Sequence, residues 1–246
     1  MSIEEIKYDV VIIGAGPAGL SAAIKIKQLD KKNNTHHNIC IIEKGSEIGA
    51  HILSGAVLDP TSLNELLPKW KETDIPVQTK VSKESFSFIT KNNSYNIPHF
   101  LLPNDMKNKG NYIISLGNMC KWLGKYAEKL GVDIFPGFSA KEILYDDQNR
   151  VKGIITGEKG VNKLGEKTDL YEPPIALTAP LTIFAEGCRG HLGKELIKKF
   201  NLDEGKNPQQ YGIGLKEIWE VSEDQHQEGL VMHTAGWPLD SKTYGG

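Results

Sequence analysis

YDVVIIGAGPAGL, residues 8–20, is the stretch that decides the fold, because an apolar run leads directly into three glycines and then into an Ala-rich helical pattern. Gly14 permits a tight turn out of a strand, Gly16 lets the backbone approach a pyrophosphate, and Gly19 allows a helix to pack closely on the strand. The phosphates then lie at the helix N-terminus, where free N–H groups and the helix dipole favour anions. The stretch therefore predicts a strand, a turn and a helix that bind a dinucleotide.

A second strand that ends in a carboxylate completes this unit. The pattern predicts a helix over residues 18–29, a polar loop over 30–38 and an apolar strand over 39–42 that leads into Glu43. A carboxylate about twenty residues past the glycines is placed to bind a ribose 2′-hydroxyl, and its charge disfavours the 2′-phosphate of NADP. The alternative is a buried strand-turn-helix that binds no ligand and leaves Glu43 merely solvated.

The composition is that of an ordinary soluble globular protein. The chain has 246 residues, enough for one large core or two small ones, and a formal net charge of −2 that favours no nucleic-acid partner. Cys40, Cys120 and Cys188 are widely spaced, so neither a zinc site nor a disulfide framework is predicted, and Cys40 is expected in the core. No apolar run approaches the ~18 residues of a spanning helix, so any membrane attachment is expected to be peripheral.

The remainder of the chain continues to alternate helical and strand patterns. The pattern predicts helices over residues 61–70, 117–130 and 191–200, strands over 132–135 and 181–187, the latter ending in Glu186 and Gly187, a hairpin of 143–145 with 151–155, and an exposed polar loop over 158–174. Ligands of an open α/β sheet bind at the carboxyl ends of its strands, so residues 14–19 and 186–190 are expected to face one crevice. The alternative for Glu186 and Gly187 is an ordinary loop.

Large apolar residues are concentrated in residues 86–103, on both sides of a turn at 91–93. Such a hairpin can enter the boundary of lipid headgroups, with Lys107 and Lys109 meeting lipid phosphates. The equally weighted alternative is that these side chains pack in the core of a second domain. The candidate membrane contacts are Phe86, Phe88, Ile97, Phe100, Leu101 and Leu102.

With these elements in place, the chain resembles the family of electron transfer flavoprotein-ubiquinone oxidoreductase, whose relatives include FixC-like dehydrogenases and geranylgeranyl reductases. The matching segments cover essentially the whole chain, and the last two are the most specific. They are residues 8–23, 43–44, IGAHILSGA at 48–56, GNYI at 110–113, FAEGCRGHL at 184–192, YGIGLKE at 211–217 and HTAGWPLD with the final TYGG at 233–246.

The resemblance implies an α/β fold, in which a Rossmann-like FAD-binding domain carries an inserted, β-rich domain that faces the quinone and the membrane. The division expected from it has four parts. These are a first part of the FAD-binding domain at residues 1–80, the apolar hairpin region at 81–115, a second part of the FAD-binding domain at 116–200, and the start of a quinone-binding domain at 201–246.

The implied activity is the transfer of electrons from reduced electron transfer flavoprotein through FAD and a 4Fe-4S cluster to ubiquinone at a membrane surface. The implied location is peripheral, on the cytoplasmic face of a bacterial inner membrane or its mitochondrial equivalent. The cluster's four cysteines would lie beyond Gly246, so we expect an N-terminal portion of a longer protein with no metal site of its own. The alternatives are a FixC-like or geranylgeranyl-reductase-like FAD dehydrogenase, or a non-catalytic FAD-binding fragment.

The resemblance also assigns roles to individual residues. The three glycines would hold the pyrophosphate, Glu43 the adenosine ribose, Glu186 and Gly187 the ribityl side, and the loop at 49–56 would lie near the flavin ring. The implied cofactor contacts are Gly14, Gly16, Gly19, Glu43, Lys44, Gly49, His51, Ser54, Gly55, Glu186 and Gly187, and the implied quinone contacts are Gly245 and Gly246. No side chain is expected to act as acid or base, because flavin electron transfer depends on orienting the ring.

Overall fold

The computed structural model describes residues 3–53, 55–162, 164–240 and 243. The strands are β1 Glu4–Lys7, β2 Val10–Ile13, β3 Ile39–Glu43, β4 Ala56–Leu58, β5 Thr79–Lys80, β6 Lys83–Ile89, β7 Ser94–Asn96, β8 Tyr112–Ile114, β9 Val132–Pro136, β10 Ala140–Tyr145, β11 Val151–Thr156, β12 Lys159–Val161, β13 Lys167–Glu172, β14 Ile175–Thr178, β15 Leu181–Phe184 and β16 Leu230–Gly236. The helices are α1 Pro17–Asn33, α2 Thr61–Leu66, α3 Leu116–Lys129 and α4 His191–Phe200. Within these ranges no helix is both long and apolar enough to cross a membrane.

The chain folds into two compact units, each assembled from two separated stretches. Unit 1 consists of residues 1–53 and 116–214, and unit 2 of residues 54–115 and 215–246. Residues 54–80, assigned from the sequence to the nucleotide-binding domain, instead belong to unit 2, because β4 and β5 both pair with β8.

A four-stranded parallel sheet forms the centre of unit 1. Its strand order is β15-β2-β3-β9, and every neighbouring pair is parallel. All four residues of β2 are buried, as are the first four of β3, which is typical of a parallel sheet covered on both faces. The predicted strand-turn-helix-strand is thus confirmed, and Cys40 lies fully buried within it.

α1 continues four residues beyond its predicted end, because Asn34 terminates it in the left-handed conformation at φ 54°. In its last turn the buried Asp30 accepts hydrogen bonds from Thr35 Oγ1 at 2.7 Å and His37 N at 3.0 Å, and its Oδ1 lies 2.6 Å from His37 Nδ1. Burial opposes the charge of Asp30, yet these hydrogen bonds and His37 lower the pKa of the carboxyl to about 2. The cluster fixes the connection from α1 to β3.

The second sheet of unit 1 has the strand order β1-β14-β11-β10. The predicted hairpin is confirmed as β10 and β11, which pair antiparallel from Ala140↔Thr156 to Tyr145↔Val151. The core formed between the two sheets and α4 includes Val11, Cys40, Ile143, Ile154, Leu177 and Leu192.

The predicted loop over residues 158–174 is wrong in its structure, although not in its exposure. Its residues form an antiparallel ribbon of β12 and β13, in which Lys159 pairs with Glu172. The Lys159 Nζ lies 2.8 Å from Glu172 Oε1, while Leu170 is 76% exposed. A ribbon with no buried face has no apolar alternation, so the sequence carries little strand signal there.

Unit 2 contains two three-stranded sheets, ordered β16-β6-β7 and β4-β8-β5. β16 runs parallel to β6, from Leu230↔Lys83 to Gly236↔Ile89, and β7 closes the predicted hairpin with β6. The predicted fold class, a Rossmann-like α/β domain with an inserted β-rich domain, is confirmed by these two units.

The helix predicted over residues 61–70 is shorter than expected. α2 ends at Leu66, because Pro68 disfavours helical geometry at Leu67 before it. Trp70 begins a separate 3-10 turn, is buried, and packs edge-on against Tyr112 with ring centroids 5.4 Å apart. The apolar spacing thus correctly indicates a core-facing segment but not one continuous helix.

Candidate functional site

The main candidate site is a cavity of about 790 Å³ in unit 1, at the carboxyl ends of β2, β3 and β15. It brings together two glycine-rich turns that lie about 170 residues apart in the sequence, as expected for ligand sites in open α/β sheets. The predicted site residues that line it are Gly14, Gly16, Glu43, Lys44, Gly49, His51, Glu186 and Gly187.

The other predicted contacts lie elsewhere. Gly19 does not line the cavity but packs α1 against the turn. Gly55 belongs to unit 2, where its carbonyl accepts a hydrogen bond of 2.8 Å from Lys216 Nζ. Ser54, Gly245 and Gly246 lie outside the described residues.

The three glycines of the first turn differ in what surrounds them. Gly14 has φ +105°, and a Cβ there would collide with the carbonyl oxygen of Ala185, the residue that follows β15. A Cβ on Gly19 would collide with the carbonyl oxygen of Gly14, whereas one on Gly16 would meet no heavy atom within 4 Å. Gly14 and Gly19 are therefore required by packing, and Gly16 leaves its backbone open toward the cavity.

The N-terminus of α1 points its free backbone donors into this opening. Gly16 is the N-cap, Pro17 follows it, and no side chain caps the helix. The cavity lining adds two cationic side chains, Lys44 and Arg189. The arrangement suits an anion at the helix N-terminus, supported by the helix dipole and by two positive charges.

The carboxylate of Glu43 is fixed by the backbone at the end of β3. Its Oε2 accepts a hydrogen bond of 2.9 Å from Ala15 N, and its Oε1 accepts one of 2.6 Å from Gly45 N. Each carboxylate oxygen retains acceptor capacity for a further donor. Glu43 is thus oriented at the cavity wall, and the two backbone hydrogen bonds that orient it were not foreseen from the sequence.

The carboxylate of Glu186 accepts hydrogen bonds from backbone amides in the first turn of α4. Its Oε2 accepts a hydrogen bond of 2.8 Å from Gly193 N, its Oε1 lies 3.4 Å from Leu192 N, and His191 Nδ1 stands 3.3 Å from the same Oε1. A negative side chain on the first turn of a helix satisfies free N–H groups and favours the dipole. At the cavity, Gly187 presents open backbone, since a Cβ there would meet nothing within 4 Å.

Sequence reasoning missed Arg189 as a lining residue. Its guanidinium lies 4.9 Å from the centroid of the Tyr211 ring, which orients the side chain beside the cavity. The available signal was a single arginine inside the glycine-rich stretch that follows β15. That signal is weak without the geometry, because isolated arginines are common at surfaces.

The two buried thiols of unit 1, Cys40 and Cys120, are neutral. Burial, together with the charge of Asp133, raises the pKa of Cys40 to about 12. Burial, together with the charge of Glu43, raises the pKa of Cys120 to about 11. Among the described residues no group of three or more His, Cys, Asp or Glu side chains could hold a metal ion.

The apolar hairpin of unit 2 places its candidate residues in two environments. Phe100 is 79% exposed, Leu101 63% and Phe88 47%, while Ile97 and Leu102 are half-buried. Phe86 is half-buried and stacks on His233 with centroids 6.2 Å apart. The core alternative therefore fits Phe86, but not Phe100 or Leu101.

Together, the fold and the site have the geometry of a dinucleotide-binding α/β domain. A family model described as pyridine nucleotide-disulphide oxidoreductase matches residues 8–98. A geranylgeranyl bacteriochlorophyll reductase-like structure from Thermoplasma acidophilum superposes with a TM-score of 0.56 at 16% identity, over 95% of this chain and 51% of that one. Thermovibrio ammonificans THI4 superposes with a TM-score of 0.52 at 19% identity, over 79% and 63%. At these identities the likeness concerns the fold alone.

Sequence relatives then give the particular family. A probable electron transfer flavoprotein-ubiquinone oxidoreductase of Acinetobacter baylyi is 56% identical over 96% of this chain and 42% of its own length. The Pseudomonas aeruginosa enzyme is 52% identical over 100% and 45%, and the mitochondrial one of Homo sapiens 50% over 97% and 38%. A model described as ETF-QO, ubiquinone-binding, matches residues 211–246. The chain belongs to the electron transfer flavoprotein-ubiquinone oxidoreductase family and spans less than half the length of these relatives.

Proposed function

We propose that unit 1 binds FAD in the cavity at the ends of β2, β3 and β15. The observation that carries this proposal is the convergence of the Gly14–Gly19 turn, the oriented carboxylate of Glu43 and the open backbone at Gly187 on one cavity. A volume of about 790 Å³ falls in the range of ligand sites.

Each part of the cavity fits one part of the cofactor. The uncapped N-terminus of α1 and the open Gly16 would hold the pyrophosphate, with Lys44 and Arg189 offsetting its charge. Glu43 would accept hydrogen bonds from the adenosine ribose and repel the extra phosphate of NADP. When bound, FAD supplies the electron-accepting ring, and the wall at Gly49 would orient that ring.

We further propose that the whole protein passes electrons from reduced electron transfer flavoprotein to ubiquinone. The match of residues 211–246 to a ubiquinone-binding model supports this activity over the FixC-like and geranylgeranyl-reductase-like alternatives. Gly245 and Gly246 are the proposed quinone contacts. The 4Fe-4S cluster would be held by cysteines outside this chain, since three scattered thiols do not suffice.

The exposed 3-10 turn that follows β7 in unit 2, residues 99–101, would give the protein a peripheral membrane contact, on the cytoplasmic face of a bacterial inner membrane or its mitochondrial equivalent. Phe100 and Leu101 carry this proposal, because their exposure leaves them available to the headgroup boundary.

The cofactor proposal is tested by titrating the purified chain with FAD and NADP. The wild-type chain should bind FAD and not NADP, and Glu43→Arg should weaken FAD binding by removing the ribose acceptor. Glu142→Arg, an exposed charge reversal on β10, is the matched control and should bind as the wild type does. Firm NADP binding without FAD affinity would overturn the assignment.

The electron-transfer proposal is tested on the family-length protein. It should contain iron and reduce ubiquinone with reduced electron transfer flavoprotein as donor, whereas the 246-residue chain should do neither. Stoichiometric iron retained by the 246-residue chain after gel filtration would contradict the placement of the cluster.

A further inference from the structure

One face of α3 touches the short segment that forms a wall of the dinucleotide cavity. This segment, residues 45–52, begins two residues after Glu43 and contributes Gly49, His51 and Ile52 to the cavity lining. No residue of α3 lines the cavity. The segment therefore contacts both the ligand space and α3, whereas α3 itself does not reach the cavity.

The contacts to α3 recur at positions four and three residues apart, so they lie on one helical face. At the first, the backbones of Gly117 and Gly49 cross: a Cβ on Gly49 would stand 2.6 Å from the carbonyl oxygen of Gly117. At the second, Lys121 Nζ lies 2.6 Å from Glu47 Oε2. At the third, a Cβ on Gly124 would collide with the Cδ1 atom of Ile48.

Two glycines within one helix are costly, because glycine is among the poorest helix formers. A Cβ at either position would press on the segment: at Gly117 it would stand 3.2 Å from the carbonyl oxygen of Gly49, and at Gly124 it would displace the end of the Ile48 side chain. The positions of these glycines are thus explained by the segment rather than by the helix.

The segment is also anchored at its start and folded within itself. The carbonyl of Gly45 accepts a hydrogen bond of 2.7 Å from Gly137 N. Ala50 N donates to Glu47 O at 3.2 Å, and Ile52 N donates to Gly49 O at 3.0 Å. A displacement imposed by α3 on Ile48 would therefore carry Gly49 and the cavity wall with it.

We propose that the face of α3 formed by Gly117, Lys121 and Gly124 is the support that sets the position of residues 45–52 against the bound dinucleotide. These three are positioning residues, since they act on the cofactor through the segment. The proposal rests on the proposed FAD site.

The first test uses a size exchange between helix and segment. Gly124→Ala should raise the Kd for FAD about tenfold, because its methyl group pushes Ile48 outward. Adding Ile48→Val removes the Cδ1 atom that collides and should restore the Kd to within about twofold of the wild type. Gly214→Ala is the control, since a Cβ there would meet no heavy atom within 4 Å and the residue does not line the cavity.

A charge exchange tests the same support independently. Lys121→Glu should repel Glu47 and weaken FAD binding, and Lys121→Glu with Glu47→Lys should recover it. Lys125→Glu, an exposed lysine on the same helix, is the control and should have no effect. The proposal is overturned if Gly124→Ala and Lys121→Glu both bind FAD with wild-type affinity. It is also overturned if neither double variant restores the binding that the single variant has lost.

Hydrogen exchange of the cofactor-free chain gives a readout that does not depend on FAD. Gly124→Ala should speed exchange at the amides of Ala50 and Ile52 and spare those of β3, and Ile48→Val should reverse this. If the wild-type chain fails to bind FAD, the proposed function falls, while the support is still judged by this exchange pattern. Unchanged exchange at both amides would refute the support itself.

Discussion

Gly16→Ala should abolish dinucleotide binding while leaving the fold intact. Gly16 has φ −81° and ψ −177°, which any L-residue adopts, and a Cβ would meet no heavy atom within 4 Å. Alanine is a poorer N-cap than glycine but restricts the unfolded chain, so we expect the free energy of unfolding to change by less than about 1 kcal/mol. The added methyl group would occupy the space into which the pyrophosphate must come.

Affinity is lost because the methyl group keeps the phosphate away from the backbone N–H donors at the start of α1. Hydrogen bonds to charged groups contribute about 1.5–3 kcal/mol each, so displacing two of them should raise the Kd for FAD at least about 100-fold. The assay is flavin fluorescence titration combined with thermal unfolding at several FAD concentrations. The wild-type melting temperature should rise with ligand concentration, whereas that of Gly16→Ala should not.

Two other glycine variants make the result interpretable. Gly19→Ala should unfold the chain, because its Cβ collides with the carbonyl oxygen of Gly14. Gly214→Ala, whose Cβ would meet no heavy atom within 4 Å, should behave as the wild type. Wild-type FAD affinity in Gly16→Ala would refute the pyrophosphate position. If Gly16→Ala unfolds the chain, the inference that a Cβ can be accommodated at residue 16 is wrong.

Two further predictions concern stability and membrane contact. Asp30→Asn should lower the free energy of unfolding by about 1–3 kcal/mol at pH 7. Because the carboxyl pKa is about 2 in the folded chain and about 3.9 when unfolded, its contribution is present above pH ~4 and lost as pH falls toward 2. Urea titrations should show the gap between wild type and variant closing over that range, and an equal gap at pH 7 and pH 2 would contradict the assignment. Replacing Phe100 and Leu101 by serine in the family-length protein should weaken sedimentation with anionic liposomes about 100-fold or more, since each buried side chain is worth ~1.5–3 kcal/mol, without loss of flavin. Serine at Leu164 and Leu170, which are similarly exposed in unit 1, is the control, and equal losses in both pairs would argue against the hairpin as the anchor.

The sequence by itself determined the strand-turn-helix-strand of residues 8–43, because every signal for it is local. The apolar run of β2, the glycines at 14, 16 and 19, and the carboxylate after β3 lie within 36 residues, counted from Tyr8 to Glu43. Turn geometry, helix packing and strand burial each depend there on residue types at fixed short spacing. The same holds for α3 and for the β10–β11 hairpin, whose periodicity and turn residues are read without knowledge of any partner.

Only the tertiary structure decided the features that depend on a pairing or packing partner far away in the sequence, or on segments whose residue pattern predicts no element. β16 joins β6 in parallel although Leu230 and Lys83 are 147 residues apart, and residues 54–80 join unit 2 through β8. The carboxylate of Glu186 satisfies α4, and the glycines of α3 accommodate the segment at 45–52. Strand pairing and close backbone approach depend on which surfaces meet in three dimensions, and a residue pattern specifies its own face but not the surface that covers it.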